Sequence, residues 1–152
     1  RTRRQGYRPP AHWHKLRDAR KRLPFPVIAN GELWTPGDIA RCAEVSGSRA
    51  FLLGRGALCR PDLGAAINAY YRGAASSPFD WQDARELLMH FLEQNRRLYD
   101  PRNAVNPVKQ WLSYLKVYYP QAAALFSEVK RITDADKMAS ALSRNEPLAA
   151  AA

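Results

Sequence analysis

Apolar and polar positions follow different rhythms on the two sides of a small-residue stretch, Gly73-Ala74-Ala75-Ser76-Ser77-Pro78. Before it, short apolar runs alternate with stretches of helical spacing. Pro26-Val27-Ile28-Ala29-Asn30-Gly31 is one such run, closed by Asn-Gly; Ala50-Phe51-Leu52-Leu53 is another, closed by Gly54-Arg55-Gly56. Runs of this length without polar alternation predict parallel strands buried on both faces. Trp13, Leu16 and Ala19 predict a short basic helix over residues 12–22, stopped by Pro24 and Pro26. Thr35-Pro36 supplies a helix N-cap followed by proline in the first turn, and Ile39, Ala40, Ala43 and Val45 carry that helix to a stop at Gly47. Another helix is expected from about Pro61 to Tyr71. Alternation of this kind is the signature of parallel α/β architecture. Two strands close no barrel and make no stable open sheet, so the pattern expects further strands upstream or on another chain.

Beyond the linker only helical spacing remains. Leu87, Leu88, Phe91 and Leu92 mark one side of a helix over residues 83–98. Val108, Trp111, Leu112, Leu115 and Tyr119 mark a second, and Ala122, Leu125, Phe126, Val129 and Ile132 a third. Pro107 and Pro120 stand where prolines open helices, and residues 134–142 form a last short one. Amphipathic helices with short connections predict a bundle. The division expected is an α/β portion over 1–73, an all-α domain over 79–146, and a frayed tail over 147–152.

Charge changes the picture. The 152 residues carry 24 Lys and Arg against 14 Asp and Glu, a formal net charge of +10. Such a surplus favours an anionic partner, nucleic acid or an acidic membrane, and says nothing of fold. Arg1 to Arg22 holds nine basic residues against Asp18 alone. No apolar run is long enough to span a bilayer, and no apolar stretch follows the basic start as in a signal peptide. The absence of an initiator Met suggests a piece of a longer protein. Cys42 and Cys59 are too few for a disulfide framework, and neither they nor His12, His14 and His90 have metal-ligand spacing. Two free thiols and no metal are expected.

Two strand ends carry the candidate chemistry. Asn30-Gly31-Glu32 and Gly54-Arg55-Gly56 close successive strands. Glycine lets backbone N–H groups approach a phosphate, arginine offers a fork of donors that fits its oxygens, and Asn adds an amide. Either motif alone is an ordinary turn or basic loop. Together, at neighbouring parallel strand ends, they form a coherent anion site of the kind found after the last strands of TIM barrels. Glu32 would repel phosphate and is expected to accept hydrogen bonds from backbone or a sugar hydroxyl.

Pro26 to Trp34 and Leu53-Gly54-Arg55-Gly56-Ala57-Leu58 resemble the closing barrel strands of bacterial tRNA-dihydrouridine synthases. Arg1 to Arg8 resembles the segment after the sixth strand, and Val108-Lys109-Gln110-Trp111-Leu112-Ser113-Tyr114-Leu115 resembles the helical domain of the C-type subfamily. The resemblance implies the C-terminal part of an FMN-binding TIM barrel followed by a helical tRNA-binding domain. It implies a cytoplasmic enzyme, monomeric at full length, in which NAD(P)H reduces FMN and hydride passes to a D-loop uridine, uridine 16, of tRNA. By the same resemblance Asn30, Gly31, Glu32, Gly54 and Arg55 are FMN contacts, with Arg55 on the phosphate. Tyr7 and Arg8 would lie beside the substrate base, and Lys109 and Lys116 would meet RNA phosphate from a solvated helix face, with Arg96, Arg97, Arg102, Lys130 and Arg131 adding charge. Trp111 and Tyr114 read as core. The family's catalytic-cysteine segment, flavin-binding lysine and histidine have no counterpart here, and neither Cys42 nor Cys59 fits the cysteine motif. No catalytic residue is therefore expected in this stretch, which alone would be inactive. A non-catalytic RNA-binding module retaining barrel remnants is the competing reading, and a different FMN barrel enzyme a third.

Overall fold

The computed structural model describes Gly6, residues 8–77 and residues 79–144. Within these the chain divides into two compact units: residues up to Ala57 with Pro61–Ser77, and Leu58–Arg60 with residues 79–144.

The first unit contains α1 (His14–Arg22), β1 (Ala29–Asn30), α2 (Pro36–Ser46), β2 (Phe51–Leu52), the start of α3 (Arg55–Cys59) and α4 (Leu63–Arg72). β1 and β2 pair in parallel, Ala29 opposite Phe51 and Asn30 opposite Leu52. A parallel pair needs a crossover, and α2 supplies it. Thr35 caps α2 as its sequence predicts. Its hydroxyl accepts from Asp38 N–H at 3.1 Å, Asp38 accepts from Thr35 N–H at 2.9 Å, and Pro36 fills the first turn. Gly47 ends the helix at φ 69. Ala29, Leu33, Ile39 and Cys42 form the core, with Trp13, Leu16, Phe51, Leu53 and Ile67 packed against it.

The strands differ from expectation. Each is two residues long, and apolar side chains are bare beside and within them: Ile28, just before β1, is 61% exposed, and Leu52 of β2 is 56% exposed. The physical reason is that, among the described residues, each strand has a single neighbour. Ladder hydrogen bonds form there on one edge only, and the face bearing Ile28 and Leu52 is left uncovered by the described residues. Gly54-Arg55-Gly56 also departs from the expected loop, because Arg55 opens the five-residue helix α3 and Cys59 closes it. The following helix begins at Leu63, two residues after Pro61.

The second unit is helical: α5 (Trp81–Leu98), α6 (Val105–Leu115), α7 (Pro120–Val129) and α8 (Ala135–Ser143). Asp80 caps α5 with a reciprocal Asp83 contact, Pro120 opens α7, and Asp134 caps α8. α6 begins two residues before Pro107, which falls in the first turn where its missing N–H costs no helical bond. The predicted stripes meet in one core of Leu88, Leu92, Val105, Val108, Leu112, Leu115, Ala122, Val129 and Met138, with neighbours. Leu87 is the exception: it is 38% exposed, lying one position off the buried Ala84, Leu88, Leu92 row. Trp111, expected in the core, lies at its edge.

Candidate anion site at the strand ends

The parallel register brings the ends of β1 and β2 together. Asn30 is exposed at the end of β1, and its Oδ1 lies 3.7 Å from where a Cβ on Gly54 would sit. The Asn30 amide and the Gly54 backbone therefore share one locality. Gly54 has φ 54, a left-handed conformation that disfavours any side chain. Arg55 follows immediately, exposed, with no ion pair or hydrogen bond among the described residues.

The β1 side is held from behind. Gly31 has φ 106, its carbonyl accepts the Trp13 indole N–H at 2.9 Å, and a Cβ there would meet Ala11 at 3.2 Å. Glu32 is the sole non-glycine residue with positive φ among the described residues, at 55. That conformation costs an ordinary side chain about 1–2 kcal/mol. Its carboxylate accepts the Trp34 indole N–H at 3.2 Å. The Arg55 guanidinium lies over the same indole, 5.6 Å from the ring centroid. Glu32 thus accepts from a side chain of its own loop, a partner that sequence reasoning did not name.

The helix that follows is fixed by a carboxylate turned inward. Burial pushes the Asp38 carboxyl up, but hydrogen bonds from the Thr35 hydroxyl, Arg41 and the backbone of Trp34 and Thr35 outweigh it and bring the pKa below the ordinary value. Asp38 therefore holds Trp34 and Thr35 by their N–H groups at 3.1 and 2.9 Å, which fixes the turn leading out of the site. Gly56 is required for packing: a Cβ there would collide with the Leu33 carbonyl oxygen and lie 3.1 Å from Leu63 Cδ2. Of the two cysteines, Cys42 is fully buried and its thiol is pushed up by burial; Cys59 is buried at the end of α3 rather than on a loop.

The expected RNA contacts are more scattered. Tyr7 lies outside the described residues, and Arg8 is exposed. Lys116 is exposed and its Nζ stands 4.7 Å above the Phe126 ring, whereas Lys109 is half-buried rather than fully solvated. Arg96 is committed to Asp136 at 2.8 Å and to Glu93 at 3.5 Å, while Arg97, Arg102, Lys130 and Arg131 are exposed. Trp111 and Tyr114 line, with Leu58, Phe91, Pro107 and Gln110, an open apolar cavity of about 440 Å³. Trp111 is pinned there by donating to the Leu58 carbonyl at 3.0 Å. No helix is long and apolar enough to cross a membrane, and no metal-binding cluster occurs, among the described residues.

Residues 1–151 match the family model described as "Dihydrouridine synthase (Dus)". The chain belongs to the dihydrouridine synthase family. Curated relatives agree. The tRNA-dihydrouridine(16) synthase of Pseudomonas putida is 44% identical over 134 residues, covering 88% of this chain and 42% of the relative. The enzyme of the same name from Aquipseudomonas alcaligenes is 42% identical over 91% of this chain and 44% of its own length. That of Shewanella oneidensis is 39% identical over 82% of this chain and 38% of its own. The chain thus spans less than half the length of these dihydrouridine synthases. The match runs through both units, so the likeness is not confined to the strand-end motifs.

Proposed function

We propose that this chain is the C-terminal part of an FMN-dependent tRNA-dihydrouridine synthase, and that the ends of β1 and β2 bind the flavin phosphate. One observation carries the site: the Asn30 side chain lies beside the Gly54 backbone at the ends of two parallel strands, and Arg55, next in the chain, makes no ion pair among the described residues. A phosphate needs such a set, with an amide donor, a backbone free of Cβ and a guanidinium without a competing carboxylate. In this reading residues 1–73 are the closing portion of a TIM barrel, and bare Ile28 and Leu52 are the surface on which its earlier strands pack. Residues 79–146 are the helical tRNA-binding domain.

The division of labour follows from the chemistry. Bound FMN, reduced by NAD(P)H, supplies the hydride that saturates the uracil ring. Arg55 and Asn30 hold its phosphate, Gly31 and Gly54 let the backbone approach, and Glu32 fixes the loop between them. Lys109, Lys116 and the exposed arginines of the second unit attract the tRNA backbone. A proton must also reach the ring. Cys42 and Cys59 are buried and unsuited to that role.

The relatives' names point to uridine 16 as the target. The test is nucleoside analysis of tRNA from a bacterium deleted for its own position-16 synthase and supplied with the full-length protein. Dihydrouridine should return at position 16. Unmodified tRNA in the presence of folded, flavin-loaded protein would favour the non-catalytic RNA-binding reading instead.

A further inference from the structure

Trp34 has no role in a phosphate site built from Asn30, Gly54 and Arg55, yet it touches two of the charged groups there. Its Nε1–H donates to Glu32 Oε2 at 3.2 Å, and its ring lies under the Arg55 guanidinium at 5.6 Å from centroid to Cζ. An indole N–H can only donate, so a carboxylate acceptor sets the rotation of the ring about its own bond to the chain. The ring face carries negative potential and attracts a guanidinium laid over it. That arrangement leaves the N–H fork at the guanidinium edge free to meet two phosphate oxygens. Arg55 makes no other ion pair or hydrogen bond among the described residues, so the indole is the group that restrains it. Glu32 adopts its left-handed conformation, φ 55, in the same loop.

We propose that Trp34 is a positioning residue. Anchored by Glu32, it pre-orients the Arg55 guanidinium and so sharpens the preference of the site for a phosphorylated flavin over an unphosphorylated one. The inference rests on the FMN reading and deepens it. A free arginine side chain loses rotamer freedom on binding; one already restrained over a ring loses less, and the difference appears as affinity.

The test uses the full-length protein stripped of flavin and titrated with FMN and with riboflavin, which lacks the phosphate. Trp34→Leu should weaken FMN by roughly two- to fivefold, the scale of one exposed cation–π contact, and leave riboflavin unchanged. Trp34→Phe keeps a ring face and should lose less. In an Arg55→Ala background, Trp34→Leu should have no further effect on FMN. Equal weakening of FMN and riboflavin would show that Trp34 merely supports the fold and would overturn the proposal. So would additive losses in the double variant, which would leave the phosphate role of Arg55 standing. An Arg55→Ala protein with unchanged FMN affinity would remove both the proposal and the reading beneath it.

Discussion

At the scale of single residues, the site depends on positions where a side chain is either required or forbidden. Arg55 was visible in the sequence as a basic residue between glycines, and Asn30 as the polar end of an apolar run. The parallel register, which the sequence pattern implied, brings Asn30 beside the Gly54 backbone that precedes Arg55. The packing of Gly56 and the contacts of Trp34 were not visible. Gly56 reads as half of a Gly-Arg-Gly loop, but its hydrogen faces the Leu33 carbonyl across a gap with no room for a methyl group. Only three-dimensional packing reveals such a restriction. Gly56→Ala is therefore expected to lower the stability of the full-length protein by about 1–3 kcal/mol, the usual cost of overpacking. Thermal unfolding measures it; a melting temperature equal to that of the parent would show that the loop has room after all. Trp34 ends the first strand-end motif, but its contact with Arg55 spans residues far apart in sequence, and no local pattern encodes it.

At the scale of elements, helix boundaries were the most legible feature. Thr35-Pro36, Gly47 and Pro120 behave as their chemistry dictates, since capping and proline effects are local. Strand extent was least legible. An apolar run states that a segment seeks burial, but the ladder length depends on neighbours that this chain does not supply. α3 was missed because the two glycines flanking Arg55 suggest a loop, and because five residues give no periodicity to read. The second unit contains an element-level device of its own. Arg85 of α5 is buried and donates from Nε and Nη2 to the Leu142 carbonyl at 3.1 and 2.5 Å, and from Nη2 to the Arg144 carbonyl. It thus caps the end of α8, where helix carbonyls lack intrahelical donors. Burial, and then the nearby charge of Arg144, lower the Arg85 pKa from its ordinary value. Arg85→Met keeps much of the volume but leaves those carbonyls without their donor. A loss of about 2–3 kcal/mol is expected in urea unfolding of the full-length protein. Unchanged stability would mean that water serves α8 equally well.

At the scale of the molecule, the two units divide along chemical lines: strand ends with a phosphate-type donor set in one, amphipathic helices with exposed basic residues in the other. The net charge of +10 favours an anionic partner, but charge alone does not say which residues are available. Arg96 is occupied by acidic neighbours and Lys109 is half-buried, whereas Lys116 is exposed. Replacing Lys109 and Lys116 by Gln in the full-length protein should weaken tRNA binding and flatten the dependence of log affinity on log salt by about one to two units of slope. An unaltered slope would place both lysines outside the RNA interface.

Central to the proposed function is one flavin phosphate shared by the ends of β1 and β2. Its most direct test is FMN binding to the full-length protein carrying Arg55→Ala. Loss of a charge-assisted phosphate contact should weaken FMN by roughly ten- to a hundredfold. Affinity identical to that of the parent would contradict the assignment of the strand ends as the flavin phosphate site.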